Sequence, residues 1–507
     1  AGPDEIAIWL DDGGVVRVGE AVDEAKCLAA ALKRMGMQPG DVVSANLPNW
    51  REMAILNLAC CALGLVINPI IPIYRDHEVS FILRDAGSRI LFTSGETTGF
   101  DYPAMARRLV AGLPRLEHVV LVRGPATAGA VTYAGLIAGG AGDFAPAAVD
   151  PNWIKLLMYT SGTTGSPKGV LHNHNTLRRS AANSAEARGT GEGDILLMAS
   201  PVTHITGYSA IDQAFCSPIP TALMGRWDRK RAVDFIEETG ATLTVGATPF
   251  LKELIDEAEA RKVRLPTLRQ FACGGAEVPP QLIYRAHELL ENCRCFRVFG
   301  STEVPLVTQG FQAVEDARLA AETDGRIYNY GVRIVDAEGA DVAPGEEGEI
   351  LARGPSMFLG YTDWQQTQEA IDGEGYFRTG DLGRAGEKGS LKISGRKKDI
   401  IIRGGENLSA KEIEDVLHRH PAVQEAAVVS MPHPRLGEAV CAYVIPHDAW
   451  ARSVVPGEIQ DFVRSSGLAP QKTPEHVEFV SELPRTASGK IRKDILRENI
   501  RKNRSIG

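Results

Sequence analysis

The chain has 507 residues, of which 44% are hydrophobic and 23% are charged, and its formal net charge is −9. A single hydrophobic core stops growing well below this length, so a globular enzyme of at least two domains is expected. The negative charge argues against a nucleic-acid partner, because binding the phosphate backbone needs a basic surface. An anionic small ligand is not excluded, since a local group of lysines and glycines can bind phosphate on an acidic protein.

Neither an integral membrane segment nor a secretory leader is expected. The most apolar run, residues 55–73, is interrupted by Asn57, Asn68, Pro69 and Pro72, which is typical of a buried helix followed by a turn and a short strand. The eight cysteines are dispersed and include no second pair at zinc-binding spacing. This pattern favours reduced thiols and a cytoplasmic enzyme.

Helix-like and strand-like segments alternate through the first three fifths of the chain. Residues 20–36 have helical periodicity, residues 42–47 are typical of a strand, and residues 50–63 predict a second helix. Such alternation favours the α/β class, with layered subdomains and largely parallel strands. Residues 124–149, which are rich in Ala and Gly, are expected to form a surface excursion.

The pattern changes from about Gly325, where short strands separated by Gly- and Asp-rich turns predict a β-rich subdomain. After a polar joint at residues 395–399, a helix, two strands and a helix predict a small α+β unit. We therefore place an N-terminal domain at residues 1–395 and a C-terminal domain at residues 396–507. The basic tail of the second domain is expected to be solvated.

The segment from Tyr159 to Gly169 carries the strongest chemical signal. It contains three glycines, five Ser or Thr hydroxyls and one lysine, and it follows the apolar run Ile154–Met158. Glycines let successive backbone N–H groups point into one concavity that suits anionic oxygens, and Lys168 adds a charge. A Walker A pattern does not fit this segment. A flexible linker is the alternative, but one lysine and one proline within the tract make it unfavourable.

This segment resembles the signature loop of the adenylate-forming superfamily, which includes acyl-CoA synthetases, peptide-synthetase adenylation domains and beetle luciferases. Further family motifs follow in the family's order, so the resemblance covers essentially the whole chain. It implies ATP, Mg²⁺ and coenzyme A as ligands, together with a small, mobile C-terminal domain. The loop residues that it implies for ATP and AMP binding are Thr160, Ser161, Gly162, Thr163, Thr164, Gly165 and Lys168.

The run from Phe299 to Glu303 resembles the family's aromatic-Gly-x-Thr-Glu motif. The resemblance implies that Phe299 and Gly300 lie at the adenine, that Thr302 contacts the α-phosphate, and that Glu303 is a catalytic metal ligand. A hard cation such as Mg²⁺ prefers carboxylate oxygens, which agrees with this role. A turn that caps a following helix is the alternative interpretation.

Two further segments resemble nucleotide-binding parts of the family. Gly274, Gly275 and Ala276 match a strand-end run that lies along the adenine and the acyl pocket, although an ordinary tight turn is a fair competitor. Asp381 lies in a Thr-Gly-Asp motif and is implied to accept hydrogen bonds from the ribose hydroxyls. Arg396 is implied to reach the ribose from the hinge side.

The remaining motifs concern the acyl group and the second thiol substrate. His204 resembles the histidine of the Pro-x-x-His segment and is implied to form a wall or gate of the acyl site rather than a base. Lys490 matches the C-terminal motif lysine, whose cation would stabilise the transition state in which two anions meet. The hinge position falls on Lys398. The residues implied to bind coenzyme A are Gly404, Gly405 and Glu406.

Together these motifs predict an ATP-dependent acid–CoA ligase. Amino-acid-activating relatives carry Asp, and hydroxybenzoate-activating relatives carry Asn, where this chain has Ile205, so an uncharged, apolar acyl group is expected. Small residues at the predicted pocket wall, Gly246 and Ala247, leave room for a ring or a medium chain. Residues 49–57 and 69–76 resemble bacterial cyclohexanecarboxylate–CoA ligases and their medium-chain relatives.

Two other functions remain open at this point. The acyl group could pass to the phosphopantetheine of a carrier protein instead of free coenzyme A. A catalytically silent acyl- or nucleotide-binding protein is a remoter alternative, because Lys168, Glu303, Asp381 and Lys490 are all present together.

Overall fold

The structure is a computed structural model, and it describes residues 2–96, 99–127, 129–160, 167–276, 278–404, 406–486 and 489–504. Several of its helices end where a glycine allows a left-handed turn; Gly64, for example, ends the second helix with φ of 68°. The first elements in chain order are β1 (Ile6–Leu10), β2 (Val15–Arg17), α1 (Val18–Arg34), β3 (Val42–Asn46), α2 (Arg51–Leu63), β4 (Val66–Pro69), α3 (Asp76–Asp85), β5 (Ile90–Ser94), α4 (Tyr102–Val110), β6 (His118–Val122), β7 (Val131–Thr132) and α5 (Tyr133–Ala138).

The middle of the chain continues the alternation of strands and helices. Its elements are β8 (Ile154–Thr160), β9 (Lys168–Asn173), α6 (His174–Arg188), β10 (Leu196–Met198), α7 (Ile205–Gln213), β11 (Thr221–Leu223), α8 (Arg229–Thr239), β12 (Leu243–Gly246), α9 (Thr248–Arg261), β13 (Gln270–Gly274), α10 (Pro280–Leu289), β14 (Arg294–Val298), β15 (Thr308–Gln309), α11 (Ala317–Glu322) and β16 (Arg326–Ile327).

The last part of the chain is richer in antiparallel strands. Its elements are β17 (Gly331–Val335), β18 (Gly348–Arg353), β19 (Gly360–Tyr361), α12 (Trp364–Ala370), β20 (Phe377–Ala385), β21 (Leu391–Arg396), β22 (Ile400–Arg403), β23 (Glu406–Ser409), α13 (Ala410–Leu417), β24 (Val423–His433), β25 (Gly437–Pro446), α14 (Pro456–Ser465), β26 (His476–Phe479) and α15 (Lys493–Arg504).

Two large sheets dominate the N-terminal domain. One has eight strands in the order β19-β9-β8-β4-β3-β5-β6-β7, and the other has seven in the order β14-β13-β12-β10-β11-β1-β2. Pairings are parallel except where β2, β9 and β19 join their neighbours. The predicted α/β class with largely parallel strands is therefore confirmed, and the motifs at strand ends gather along two sheet edges.

One buried cluster joins the two sheets. It contains Ile8 of β1 and Ile67 of β4, which belong to different sheets, together with Leu28 of α1 and Ile55 of α2. Each of these side chains is fully buried. Because the helices α1 and α2 share their apolar faces with both sheets, the sheets form one layered core.

The predicted β-rich subdomain is the antiparallel sheet β17-β18-β20-β21. The five-stranded sheet of the small C-terminal domain begins with β22. Helices α13 and α14 pack on one face of this sheet and α15 on the other, as the neighbouring strand residues Val428 and Val429 show by facing opposite clusters. The change of sheet falls between Arg396 and Ile400, and the domain boundary itself stays a prediction. No helix within the described ranges has the length and apolarity of a membrane span.

Two expectations about surface segments were wrong in part. Residues 124–149 include β7, which extends the eight-stranded sheet, and α5, whose Tyr133 is buried and donates a hydrogen bond to Glu24 at 2.7 Å. The basic tail is the helix α15, in which Leu496 and Ile500 are buried at one helical face. Alternating charges hide this apolar periodicity in the sequence.

The β-rich subdomain is connected to the seven-stranded sheet through a buried ion pair. Asp324 accepts hydrogen bonds from the Arg297 guanidinium of β14 at 2.5 and 3.0 Å, and its other oxygen accepts one from the Ile393 backbone N–H of β21 at 2.8 Å. The Arg297 side chain is only 3% exposed. Removing one partner of such a pair leaves an uncompensated buried charge, which is far more costly than losing an exposed pair.

We therefore expect Asp324→Ala to lower the free energy of unfolding by about 3–5 kcal/mol. Differential scanning calorimetry should show a lower unfolding midpoint for this variant. Asp341→Ala is the matched control, because Asp341 pairs with Arg333 at 2.8 Å on the surface. Equal midpoints for the two variants would contradict the structural role of Asp324.

Candidate active site

The phosphate segment connects β8 to β9, which form an antiparallel hairpin. Thr160 and Lys168 are paired across the base of this hairpin. The predicted residues between them, Ser161, Gly162, Thr163, Thr164 and Gly165, lie outside the described residues. The predicted strand before this segment is confirmed, since β8 spans Ile154–Thr160, while the conformation and contacts of these five residues stay a prediction.

Hydrogen bonds to Asp85 hold the base of the hairpin next to β19. The Tyr159 hydroxyl donates to Asp85 at 2.5 Å, and the Thr362 hydroxyl donates to the same carboxylate oxygen at 3.0 Å. A Cβ on Gly169 would lie 2.7 Å from the Thr362 side chain, so the hairpin and β19 approach each other more closely than a larger residue would allow.

Lys168 and Glu303 meet at one aromatic ring. The Lys168 ammonium lies 4.9 Å from the centroid of the Tyr361 ring, and the Tyr361 hydroxyl donates to Glu303 Oε1 at 2.9 Å. Burial and the neighbouring Glu303 charge raise the pKa of Tyr361. The phenol is therefore protonated, and it serves as a hydrogen-bond donor to the carboxylate.

The Phe299–Glu303 segment is an irregular connection that leads to β15. No helix occurs between Val298 and Thr308, so the interpretation as a helix-capping turn was wrong. The Phe299 N–H donates to the Thr308 hydroxyl at 2.8 Å. A Cβ on Gly300 would lie 2.4 Å from the Leu306 backbone nitrogen, which explains why this tight connection needs a glycine.

A buried histidine fixes Thr302. His172 Nε2 lies 2.7 Å from the Thr302 carbonyl oxygen, and because a carbonyl can only accept, this nitrogen carries the proton. Burial lowers the pKa of His172 to about 4, so the ring is neutral at physiological pH. The backbone between Thr302 and Glu303 is thus anchored to β9, the second strand of the phosphate hairpin.

Asp381 and Arg396 face each other across β20 and β21. Arg396 Nε lies 2.8 Å from Asp381 Oδ1, and Asp381 is 4% exposed. Burial raises the pKa of Asp381, and the Arg396 charge opposes this effect. The structure therefore brings together the two residues that were assigned separately to one ribose.

Lys490 reaches the same region from the C-terminal domain. Its backbone N–H donates to the Thr486 hydroxyl at 3.1 Å. The residue is accessible to solvent, but the surrounding protein removes part of the hydration of its ammonium. This effect and the Arg396 charge lower the pKa of Lys490, while Asp381 and Glu303 act in the opposite direction. The charge of Lys398 also lowers this pKa, so two acidic and two basic candidate residues act on this ammonium.

His204 precedes the first residue of α7, and Ile205 begins that helix. Burial and the Lys490 charge lower the pKa of His204 to about 4, so its imidazole is neutral. Its Nε2 atom is buried and has no hydrogen-bond partner among the described residues. Ile205 packs against the core that joins the two sheets. The neutral ring fits the predicted wall or gate.

The segment that leads to His204 is held by a buried side chain. The Asn49 amide group donates to the Ser200 carbonyl at 3.0 Å and to the Met224 carbonyl at 2.9 Å. Its oxygen accepts a hydrogen bond from the Val202 N–H at 2.8 Å. The contacts with Ser200 and Val202 fix the approach of the chain to α7, and the contact with Met224 ties it to the end of β11. These three hydrogen bonds explain why a polar side chain is buried here.

The predicted acyl and adenine residues lie at the carboxyl ends of three adjacent parallel strands. Gly246 ends β12 and is paired with Cys273 of β13, while Gly274 is paired with Val298 of β14. A Cβ on Gly274 would lie 2.5 Å from the Val298 carbonyl oxygen. The neighbouring candidates are Ala247, which precedes α9, Gly275, whose φ is 78°, and the half-buried Ala276.

The hinge and coenzyme A candidates lie further along the chain. Lys398 is the middle residue of a single 3₁₀ turn between β21 and β22, and burial lowers its pKa. The Gly404 N–H donates to the Leu436 carbonyl at 2.8 Å, and Glu406 accepts from Gln471 at 2.8 Å. Gly405 lies outside the described residues. Within the described ranges no hydrogen bond connects the β22–β23 hairpin to Lys490. The structure therefore does not group the coenzyme A candidates with Lys490.

The described residues include no group of three or more His, Cys, Asp and Glu side chains that could hold a metal ion by themselves. Glu303 is a single carboxylate at the phosphate hairpin. This arrangement suits Mg²⁺, which proteins commonly bind through one or two carboxylates together with substrate phosphates.

Sequence reasoning missed several residues of this site, notably Tyr361, His172, Asp85 and Asn49. Each of them acts by holding another residue that lies more than fifty positions away in the chain. A single sequence carries no signal for such contacts.

Comparisons with known proteins identify the family to which the chain belongs. The family model of AMP-binding enzymes matches residues 1–362, and the model of the AMP-binding enzyme C-terminal domain matches residues 412–490. The medium-chain fatty-acid–CoA ligase of Escherichia coli is 33% identical over 98% of this chain and 88% of its own length. A salicyl-AMP ligase / salicyl-S-ArCP synthetase of Mycobacterium tuberculosis is 32% identical, with 97% and 87% coverage.

The fold has close counterparts among solved structures. ATP-bound MatB from Rhodopseudomonas palustris superimposes with a TM-score of 0.87 at 26% identity, over 98% of this chain and 96% of MatB. The apo form of the same protein gives a TM-score of 0.75 with the same coverage. With a family model that matches most of its length and relatives aligned from end to end, the chain belongs to the AMP-binding enzymes of the adenylate-forming superfamily and is an ATP-dependent acid ligase.

Proposed function

We propose that this enzyme is an acid–CoA ligase that activates an uncharged, apolar carboxylic acid. The observation that carries the proposal is a cluster of charges beside the phosphate hairpin. Arg396 pairs with Asp381 at 2.8 Å, and Glu303 shares the Tyr361 ring with Lys168. Lys490 lies within range of the Glu303, Asp381 and Arg396 charges. These residues come from distant parts of the chain, and their shared location supports one site for a nucleotide and an acyl group.

In the first half-reaction a carboxylate oxygen of the acid attacks the α-phosphorus of ATP. The bond between the α-phosphorus and the bridging oxygen breaks, so acyl-AMP and pyrophosphate form. Phosphate oxygens bind the backbone of the hairpin and Lys168, and the Lys490 ammonium stabilises the negative charge that develops at the α-phosphate. When bound by Glu303, Mg²⁺ neutralises charge on the phosphates.

A separate set of residues binds the adenine and the ribose. Phe299 and the small residues Gly274, Gly275 and Ala276 provide a flat surface for the adenine, next to Gly300 and Thr302. Asp381 accepts hydrogen bonds from the ribose hydroxyls, and Arg396 keeps this carboxylate ionised despite its burial.

In the second half-reaction the thiol of coenzyme A loses its proton to solvent, and the sulfur attacks the acyl carbon. The bond from that carbon to the phosphate oxygen breaks and AMP leaves. Lys490 is no longer needed at this stage, so a rotation of the C-terminal domain about Lys398 would bring Gly404, Gly405 and Glu406 to the site. The higher TM-score to ATP-bound than to apo MatB supports assigning the present arrangement to the first half-reaction.

The acyl specificity follows from the residues at the start of α7 and at the end of β12. Ile205 offers neither a carboxylate for an ammonium group nor an amide for a hydroxyl group. A charged acyl substituent there would be buried without a partner. A Cβ on Gly246 would lie 2.8 Å from the Phe250 ring, so this glycine makes room for that ring. The small Ala247 leaves space for an alicyclic or aromatic ring or for a medium-length chain.

The two relatives described above differ in the thiol that accepts the acyl group. One relative forms a CoA ester, and the other is named for a product, salicyl-S-ArCP, that is not a CoA ester. Coenzyme A is favoured here by the resemblance of residues 49–57 and 69–76 to acid–CoA ligases. Transfer to a carrier-protein thiol is therefore the second candidate function.

The first test is release of pyrophosphate and AMP with MgATP and cyclohexanecarboxylate, benzoate, octanoate or palmitate, each with and without coenzyme A. We expect pyrophosphate with one of the first three acids and a thioester only when coenzyme A is added. Preference for palmitate would contradict the proposed acid class. Pyrophosphate formation that never leads to a CoA ester would favour a carrier-protein acceptor.

Lys490→Ala should slow acyl-adenylate formation about 10²–10³-fold, because one preorganised charge at the reacting phosphate is lost. ATP binding, measured by titration calorimetry, should change little, since the other nucleotide contacts remain. Lys502→Ala is the control, because Lys502 lies on the exposed face of α15. Normal adenylation by Lys490→Ala, or an equal defect in both variants, would contradict the role of Lys490.

Lys398→Pro tests the hinge, since proline fixes φ and so restricts rotation at that residue. We expect pyrophosphate formation to stay within a few-fold of the unmodified enzyme and thioester formation from isolated acyl-AMP to be lost. Lys398→Ala keeps backbone freedom and should retain both half-reactions. Equal loss of the two half-reactions in Lys398→Pro would contradict the hinge.

A further inference from the structure

We propose that Tyr361 is a positioning residue that orients the Glu303 carboxylate for its metal ion and supports the Lys168 ammonium beside the phosphates. The proposal rests on the proposed function in that Glu303 and Lys168 are assigned to MgATP. It adds a residue to which none of the motifs in the sequence gives a role.

The β19 segment fixes Glu303 at two points. The Phe358 backbone N–H donates to the Glu303 carbonyl at 2.8 Å, and the Tyr361 hydroxyl donates to Glu303 Oε1 at 2.9 Å. The rings of Phe358 and Tyr361 pack edge to face with centroids 5.0 Å apart, and Tyr361 is 6% exposed. Both the main chain and the side chain of Glu303 are therefore attached to one rigid aromatic pair.

The hydrogen bond from Tyr361 makes the two oxygens of the Glu303 carboxylate different. Among the residues that the structure describes, Tyr361 is the only hydrogen-bond donor to the Glu303 side chain, and it contacts Oε1 alone. Oε2 accepts no hydrogen bond from these residues, which leaves it to a cation. Hydrogen bonds of this kind hold a ligating carboxylate in the orientation that the metal requires.

The same ring separates Lys168 from Glu303. The ammonium lies over the ring at 4.9 Å, which is within the range of a cation–π interaction. Lys168 and Glu303 both lie within the described ranges and both contact Tyr361, but no ion pair joins them. Because the cation is held by a neutral ring rather than by the carboxylate, its charge remains directed to the phosphates and that of Glu303 to the metal.

A purely structural role for Tyr361 can be distinguished by comparison with Tyr330. Both tyrosines belong to one apolar cluster, and both hydroxyls are hydrogen-bonded. The Tyr330 hydroxyl, however, donates to the Pro305 carbonyl at 3.3 Å and contacts no carboxylate. Removing either hydroxyl deletes one oxygen from the same core, so Tyr330→Phe is the matched control for Tyr361→Phe.

The experiment measures Mn²⁺ binding to the full chain by the electron paramagnetic resonance of free Mn²⁺, with α,β-methylene-ATP and without any acid. We expect Tyr361→Phe to bind Mn²⁺ about 10- to 100-fold more weakly than the unmodified protein, and Tyr330→Phe to bind it equally well. In the Glu303→Gln background, Tyr361→Phe should have no additional effect, since the hydrogen bond acts through the carboxylate. Tyr361→Leu, which also removes the ring, should further weaken binding of the nucleotide analogue measured without metal.

Equal Mn²⁺ affinity of Tyr361→Phe and the unmodified protein would overturn the inference, as would an equal loss in Tyr330→Phe. An unchanged effect of Tyr361→Phe in the Glu303→Gln background would also overturn it, because the residue would then act by packing. Failure of the proposed function gives a different result. The unmodified protein would then form no pyrophosphate with any acid of the panel, whatever the order of the Mn²⁺ affinities.

Discussion

The reaction of an adenylate-forming ligase must bring two anions together, because a carboxylate has to approach a triphosphate. A protein with a net charge of −9 can allow this only by collecting cations at one point. Here the cations Lys168, Arg396 and Lys490 come from the first residue of β9, from the last strand of a subdomain and from the loop before α15. Lys168 lies beside an aromatic ring, Arg396 beside a buried carboxylate, and Lys490 is exposed to solvent.

These different surroundings give the three cations different freedom. Arg396 is paired with Asp381 across two strands and has little choice of position. Lys168 lies over a ring, which attracts a cation without neutralising it. Lys490 has no ion-pair partner among the described residues, and its hydration is incomplete, so it is the cation that can join or leave the site with least rearrangement. This gradation suits a site in which two successive reactions need different charges at one carbonyl.

The fold was largely predictable because its parallel strands and amphipathic helices leave strong periodic patterns. The phosphate segment and the Phe299–Glu303 motif were recognisable because glycines and hydroxyls occur there at unusual density. The same reasoning misjudged α15, whose apolar residues Leu496 and Ile500 are separated by charges, and residues 124–149, whose composition hides the buried Tyr133. Composition alone does not tell an exposed alanine from one that packs.

The supporting residues were not predictable for a different reason. His172, Asp85 and Tyr361 have ordinary sequence surroundings, and their function exists only in contacts across the fold. A tyrosine in an apolar run is usually part of a core, and Tyr361 is indeed in one. What distinguishes it is the partner of its hydroxyl group, which depends on tertiary structure and not on neighbouring residues.

The pairing of β19 with β9 determines when, during synthesis of the chain, the residues around the phosphate segment can assemble. Gly360 and Tyr361 add to the sheet beside Leu171 and Val170, almost two hundred residues earlier in the chain. The phosphate hairpin can form locally as soon as its own strands leave the ribosome, because its strands are adjacent in sequence. Its lysine and the acidic residue opposite gain their shared ring only after residue 361 has emerged. A nascent chain shorter than this therefore contains the phosphate segment without the residue that arranges the charges around it.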